Sequence, residues 1–167
     1  MSFKIITISR EFGSGGRFIG EQIAQKCGIE FYDKKIIEHV AKELGISEQI
    51  VANQGEYAPA GSIFSYAFVG RDITGVSLSD QIFNIQQKLI KDIAQKEPCV
   101  IVGRCADYIL SDRDDVLNVF IEGNKPEKAA RIKKLYHKSD DEVKKLLKDV
   151  DKKRLSLIHI SEPTRPY

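Results

Sequence analysis

A glycine-rich run that separates an apolar segment from an amphipathic one constrains the fold of this chain more than any other feature. Residues 4–9, Lys-Ile-Ile-Thr-Ile-Ser, are apolar and β-branched, which predicts a strand. Apolar residues then recur at helical spacing up to an expected stop at Cys27-Gly28, namely Phe18, Ile19, Ile23 and Ala24. The order strand, glycine loop, helix predicts the opening unit of an α/β fold.

The loop itself has the composition of a phosphate-binding loop. Its glycines, at positions 13, 15 and 16, permit positive φ angles and close approach of the backbone to a ligand. Consecutive N–H groups and the N-terminus of the following helix can then surround a phosphate. We therefore predict that Gly13, Ser14, Gly15, Gly16 and Arg17 bind the phosphates of a nucleotide.

The P-loop template G-x-x-x-x-G-K-[ST] matches this loop in part. Gly15 fits the second glycine, whereas Arg10 stands at the first glycine, Gly16 at the lysine and Arg17 at the hydroxyl residue. The lysine that neutralises a transferring phosphoryl group is thus absent. Our hypothesis gives Arg17 part of that lysine's role, and it leaves open a module that binds a phosphorylated ligand without turnover.

A dinucleotide site is a further alternative. Phe18 stands where the template G-x-G-x-x-G has its third glycine, but Asp33 ends the next predicted strand at about the distance where a carboxylate meets a ribose hydroxyl. An NAD-binding loop and a purely structural glycine turn therefore remain alternatives to phosphate binding.

The rest of the chain continues the alternation of strands and helices. Strands are predicted at residues 29–32, 99–102 and 116–121, and helices at 36–44, from an N-cap at Ser79 through 93, from Pro126 to Tyr136, and from a Ser139 capping box to about Arg154. Residues 53–77 lack periodicity and predict a long irregular connection, either a lid or a surface excursion. This pattern predicts a mainly parallel sheet flanked by helices in three layers.

Size and composition exclude several classes. The chain has 167 residues, a net charge of +2 and three cysteines. It contains no apolar run long enough to span a membrane, no signal-peptide pattern and no zinc-binding or redox cysteine spacing. We expect a cytoplasmic protein that binds neither nucleic acid nor membrane, with its thiols free and at least partly buried.

The end of the chain departs from the preceding pattern. Residues 155–167, Leu-Ser-Leu-Ile-His-Ile-Ser-Glu-Pro-Thr-Arg-Pro-Tyr, follow a charged helical segment abruptly and resemble a translated sequencing adapter. We therefore expect a single domain over residues 1–154, truncated at its C-terminus, and a non-native tail over 155–167.

Charged residues beyond the third strand are further site candidates. Arg104 and Asp107 follow residues 99–102, and the carboxyl ends of parallel strands are where open α/β sheets place their ligand groups. The guanidinium of an arginine can bind a phosphate or the edge of a base through two hydrogen bonds, and an aspartate can act as a hydrogen-bond acceptor beside it. A structural salt bridge between the two residues explains their spacing equally well.

Five segments together resemble the cytidylate kinase-like family. They are Ile-Thr-Ile-Ser-Arg-Glu-Phe-Gly-Ser-Gly-Gly-Arg at 6–17, Phe-Tyr-Asp-Lys-Lys-Ile-Ile at 31–37, Cys-Val-Ile-Val-Gly-Arg-Cys-Ala-Asp at 99–107, Val-Phe-Ile at 119–121 and Asp-Lys-Lys-Arg at 151–154. The resemblance covers the chain up to Arg154. It implies a P-loop kinase-like fold and transfer of a phosphoryl group from Mg²⁺-bound ATP to CMP or dCMP.

The resemblance also implies roles for individual residues. The loop from Gly13 to Arg17 would bind ATP phosphates, Asp33 and Arg104 would lie on the acceptor side, and Arg131 and Arg154 would lie in a lid and supply closing charges. Cys105 stands where the family's Gly-Arg-Asp substrate motif has its aspartate. The metal ligands stay unknown.

Overall fold

The computed structural model describes residues 3–56 and 78–161, without the side chains of residues 53–56, 79 and 152–161. The described residues form four strands: β1 (Ile5–Arg10), β2 (Glu30–Tyr32), β3 (Cys99–Val102) and β4 (Val116–Ile121). The helices are α1 (Gly16–Cys27), α2 (Lys34–Leu44), α3 (Glu48–Glu56), α4 (Leu78–Lys96), α5 (Ala106–Ile109), α6 (Lys125–Tyr136) and α7 (Asp140–Ser161).

The strands form one parallel sheet in the order β2-β3-β1-β4. Strand β1 lies in the interior of this sheet, where Ile5 pairs with Cys99 of β3 on one side and with Val116 of β4 on the other. Thr7 Oγ1 also donates a 2.6 Å hydrogen bond to Oδ1 of Asn118, 111 residues later in the chain. Because all pairs are parallel, the carboxyl ends of the strands meet at one edge.

Alternate residues of the sheet point to opposite faces, and each face packs into a separate apolar cluster. Cys99 and Ile101 of β3 pack with helices α2 to α5, whereas Val100 and Val102 pack with Ala24 of α1 on the opposite face. All four β3 residues are fully buried, as expected for a parallel strand covered by helices on both faces. A third cluster joins the glycine loop to α6 and α7. The three-layer α/β architecture predicted from the sequence is confirmed.

Local signals in the sequence mark several helix ends correctly. Gly28 and Gly45 adopt left-handed conformations and cap α1 and α2 at their C-termini. The Ser139 N–H donates to Glu142 Oε2 at 2.9 Å and the Glu142 N–H donates to Ser139 Oγ at 3.5 Å, which is the predicted capping box. The bounds of β3 and β4 are also as predicted.

Other expectations need correction. Helix α3 extends to Glu56, so residues 53–56 are not irregular backbone, and the remainder of the predicted connection lies outside the described residues. Helix α4 begins at Leu78, one residue before Ser79, so Ser79 is not its N-cap. Helix α7 continues to Ser161 across the domain boundary predicted after residue 154, and that boundary stays a prediction. None of the described helices is both long and apolar enough to cross a membrane.

Candidate functional site

A cavity of about 650 Å³ opens where β1 ends and α1 begins. This volume is in the range that binds small-molecule ligands. Its described lining includes the whole glycine loop and five cationic side chains, which are Arg10, Arg17, Lys34, Arg104 and Arg131. Three acidic side chains also line it, namely Glu11, Glu21 and Asp33. The excess of cations favours an anionic ligand.

The glycine loop has the backbone conformation that its sequence predicts. Gly13 and Gly15 have φ angles of 78° and 88°, in the left-handed region that side-chain-bearing residues rarely adopt. Ser14 Oγ donates a 2.9 Å hydrogen bond to the carbonyl oxygen of Glu11, which closes the turn. Helix α1 then begins at Gly16, so its first N–H groups, which have no acceptor within the helix, belong to residues that line the cavity.

Arg17 and Asp33 form an ion pair at the cavity wall. Nε of Arg17 lies 3.1 Å from Oδ2 of Asp33, and the arginine side chain is 53% exposed whereas the aspartate is nearly buried. Asp33 immediately precedes α2, so the pair joins the starts of two helices. The structure therefore brings a predicted phosphate-binding residue together with a predicted acceptor-side residue.

Arg131 reaches the glycine loop from α6. Its Nη1 donates a 2.7 Å hydrogen bond to the carbonyl oxygen of Gly13. A Cβ atom placed on Gly15 would lie 2.8 Å from the same Nη1, so the guanidinium rests directly on the loop. The geometry therefore brings Arg131 to the glycine loop, and its role in a lid stays a prediction.

Arg104 enters the cavity from the turn after β3. Its side chain is only 6% exposed, yet it lines the cavity. Gly103, Arg104 and Cys105 have successive φ angles of 73°, 59° and 54°. Left-handed conformations cost about 1–3 kcal/mol at a residue with a side chain, and they cluster at functional sites.

Two predicted site residues are not placed at the cavity by the described part of the structure. Asp107 accepts a 3.2 Å hydrogen bond from Oγ of Ser9 on β1, and the described lining of the cavity does not include it. Arg154 belongs to α7, but the structure does not describe its side chain. Their proposed roles stay predictions.

Lys128 is a central residue that the sequence did not single out. Its Nζ lies 3.0 Å from Oε2 of Glu11 and 2.6 Å from Oδ2 of Asp151. The other oxygen of Asp151 accepts the N–H of Phe12 at 2.6 Å, and Glu11 Oε2 also accepts the N–H of Gly123 at 3.1 Å. This ion triad fixes the loop to α6 and α7. No local pattern signals it, because its members are far apart in the chain.

The electrostatics of the triad keep Lys128 charged. Burial lowers the pKa of its ammonium group, but the hydrogen bonds that it donates to Asp151 and Glu11, together with their negative charges, raise that pKa by more. The net pKa is above the ordinary value, so Lys128 is a cation at neutral pH. Because its ammonium group is already paired with the carboxylates of Glu11 and Asp151, we interpret Lys128 as a structural residue rather than a substitute for the P-loop lysine.

Comparison with known proteins identifies the family. A model of the cytidylate kinase-like family matches residues 5–161. The chain belongs to the cytidylate kinase-like family. None of the curated proteins matches this cytidylate kinase-like chain.

Solved structures share its fold. An uncharacterized protein from Eubacterium ventriosum ATCC 27560 is 27% identical, with a TM-score of 0.67 over 96% of this chain and 79% of that one. Shikimate kinase from Bacteroides thetaiotaomicron is 18% identical, with a TM-score of 0.55 over 95% and 82%. Shikimate kinase from Acinetobacter baumannii, in complex with shikimate, is 12% identical, with a TM-score of 0.50 over 93% and 80%. The cytidylate kinase-like chain therefore has a P-loop kinase-like fold.

Proposed function

We propose that the protein transfers the γ-phosphoryl group of Mg²⁺-ATP to a pyrimidine nucleoside monophosphate such as CMP or dCMP. The observation that supports this most is the loop with left-handed Gly13 and Gly15, which leads into α1 within a cavity lined by arginines. Family membership and the P-loop kinase-like fold agree with a kinase. The choice of a pyrimidine acceptor rests on the family resemblance.

The proposed reaction asks for charge and position rather than a nucleophilic side chain. A phosphate oxygen of the acceptor attacks the γ-phosphorus of ATP, the bond to the β–γ bridging oxygen breaks, and ADP leaves. The loop N–H groups and the start of α1 hold the donor phosphates. Arg17 and Arg131 lie beside that loop, where their charge would stabilise the transferring group.

The acceptor side is proposed to be formed by Asp33 and Arg104. Arg104 presents its guanidinium from the β3 turn, where it can hold the acceptor phosphate, and Asp33 orients Arg17 between the two nucleotides. Arg154 is proposed to add a closing charge from α7, and Asp107 to support the β3 turn through Ser9.

Magnesium enters the proposal as part of the nucleotide. Among the described residues there is no cluster of three or more acidic, histidine or cysteine side chains that could hold a metal ion. Mg²⁺ in kinase sites keeps several waters and is bound by substrate phosphates and one or two carboxylates, so it needs no cluster of three protein ligands. When bound, it neutralises charge on the β- and γ-phosphates.

The second candidate is a module that binds a phosphorylated ligand without turnover. The absence of the P-loop lysine favours it, because Gly16 stands at that position. The NAD alternative is disfavoured by topology. In the six-stranded dinucleotide-binding sheet β2 adjoins β1, whereas here β3 lies between them.

The test is ADP release by the full chain with Mg²⁺-ATP and, separately, CMP, dCMP, UMP, AMP and shikimate. Turnover with a pyrimidine monophosphate above the ATP-only rate is expected. Shikimate tests the acceptor named for the two related folds. Turnover only with shikimate or AMP would reject the pyrimidine acceptor.

Two variants identify where the activity resides. Arg17→Ala should lower kcat about 100-fold, the order of effect for loss of one charge-stabilising donor. Arg113→Ala is the matched control, because Arg113 also forms an arginine–aspartate pair, with Asp115 at 2.7 Å, but does not line the cavity. If the protein binds ATP but forms no ADP with any of the acceptors, the result would support the module without turnover.

A further inference from the structure

The side chain of Arg10 lies against Gly16, the position at which the P-loop template has its lysine. Arg10 ends β1, and its stem crosses the first residue of α1, Gly16. A Cβ atom placed on Gly16 would lie 2.7 Å from Cβ and 2.9 Å from Cγ of Arg10, which is closer than real Cβ atoms come. Residue 16 can therefore carry no side chain while Arg10 keeps this position.

The guanidinium of Arg10 lies between the two turns that form the cavity. A Cβ atom on Gly103 would lie 3.0 Å from Cζ of Arg10 and would overlap its Nη1. Gly103 is the first residue after β3 and Gly16 is the first residue of α1, so the arginine spans from the phosphate loop to the β3 turn. Arg10 also lines the cavity.

These contacts give a physical meaning to the two departures from the P-loop template. The template has glycine at the position of Arg10 and lysine at the position of Gly16. Here the cation and the glycine have exchanged places, and the space left by the absent lysine side chain is filled by the arginine stem. We infer that Arg10 supplies the phosphate-binding cation that the P-loop lysine supplies elsewhere. This inference rests on the proposed function, because it assumes that the loop binds a polyphosphate.

The other arginines of the cavity have different positions. Arg17 faces Asp33, Arg131 donates to the Gly13 carbonyl oxygen, and Arg104 comes from the β3 turn. The three nearest atoms to a Cβ placed on Gly16, apart from its chain neighbours, all belong to the Arg10 side chain. An arginine at this place presents a planar fork to phosphate oxygens, whereas lysine presents a point charge.

The experiment measures dissociation constants of the full chain for Mg²⁺-ATP and for inorganic tripolyphosphate by calorimetry. Arg10→Gln keeps the stem against Gly16 but removes the charge, and we expect both ligands to bind about 10-fold to 100-fold more weakly. Arg10→Lys keeps a charge and should lose less. Arg113→Ala should bind as the wild type does. Circular dichroism melting without ligand verifies that each variant is folded.

The exchange itself gives a second, independent test. Gly16→Lys alone should be poorly folded or weakly binding, because its Cβ meets the Arg10 stem. The double variant Arg10→Gly, Gly16→Lys recreates G-x-x-x-x-G-K and should bind tripolyphosphate more tightly than Arg10→Gln. Unchanged binding in folded Arg10→Gln, or no gain in the double variant over it, would overturn the inference.

Failure of the inference can be told apart from failure of the proposed function. If the wild type binds tripolyphosphate but forms no ADP from ATP with any acceptor, the kinase proposal fails. The affinities of the Arg10 variants for tripolyphosphate still test the role of Arg10. If ADP is released with CMP while Arg10→Gln binds normally, the kinase proposal stands and the role of Arg10 is rejected. If the wild type binds neither ligand, both are rejected.

Discussion

Lys128 and Asp151 form a 2.6 Å ion pair between α6 and α7, and the lysine side chain is only 5% exposed. Glu11 at the start of the glycine loop completes the triad on the other side of the lysine. The loop that surrounds the proposed phosphate site is therefore anchored by helices that follow it by more than 100 residues.

Lys128→Met should destabilise the protein by about 2–3 kcal/mol. Breaking a buried ion pair costs about 3–5 kcal/mol, and both carboxylates here keep partial access to water, which reduces that figure. Lys133→Met is the matched control on the same helix, because Lys133 pairs with Asp140 at 2.8 Å but is 56% exposed. Its effect should stay within about 0.5 kcal/mol. Urea unfolding measures both, and equal losses would contradict a structural role for the triad.

The same lysine predicts how stability depends on alkaline pH. The pKa of Lys128 is raised above its ordinary 10.5, because the carboxylates of Asp151 and Glu11 outweigh the effect of burial. Its stabilising contribution is therefore complete below pH 10.5 and is lost as pH rises through the folded-state pKa. The difference in unfolding free energy between the wild type and Lys128→Met should be constant from pH 7 to 9 and shrink above 10.5. A difference that grows with pH would refute this sign.

Gly15→Ala should weaken polyphosphate binding beyond its cost in stability. Its positive φ strains any side chain by about 1–2 kcal/mol, and the added Cβ would meet Arg131 Nη1 at 2.8 Å. Gly28→Ala is a matched control, since Gly28 also has a positive φ, of 65°, but nothing lies within 4 Å of the added Cβ. Calorimetry should show that Gly15→Ala binds tripolyphosphate more weakly than the wild type does, whereas Gly28→Ala binds it with the affinity of the wild type. Comparable affinities for the two variants would argue against a phosphate site at this loop.

The cysteines should differ sharply in reactivity. Cys27 is exposed, which corrects the expectation that all three thiols are at least partly buried. Burial raises the pKa of Cys99 to about 12, and burial followed by the nearby Asp107 raises the pKa of Cys105. At pH 8 roughly one Cys99 in 10⁴ is a thiolate, so thiol titration should give one fast equivalent, with the rest released in urea. A second fast equivalent in the folded protein would contradict this prediction.

Local signals explain why much of the fold can be predicted from the sequence. Strand β3 is an unbroken apolar run, α1 and α2 end at glycines, and Ser139 with Glu142 forms a capping box, so each element is specified by its own residues. Helix α3 escapes prediction because it is short, contains Gly55 and has a weak apolar periodicity. Its Val51 is fully buried only through contact with other helices.

The glycine loop of the candidate site could be predicted from the sequence, but the ion pairs that join it to other elements could not. The spacing of Gly13 and Gly15 after a strand predicts a tight glycine loop, and the structure shows positive φ angles at both glycines. The pairing of Arg17 with Asp33, and of Lys128 with Glu11 and Asp151, depends on how separate elements pack, and no spacing rule encodes it. The position of the Arg10 stem over Gly16 is likewise a property of the folded chain.

The central place of β1 in the sheet has a consequence for synthesis of the protein. Thr7 contacts Asn118, which lies 111 positions later in the chain, and the Phe12 N–H contacts Asp151, which lies 139 positions later. At ribosomal rates of about 5–20 residues per second, the N-terminal strand waits on the order of ten seconds for these partners to be made. During translation the β-branched segment and the glycine loop thus lack these partners, and the contacts with Asp151 form only after that part of α7 has been made.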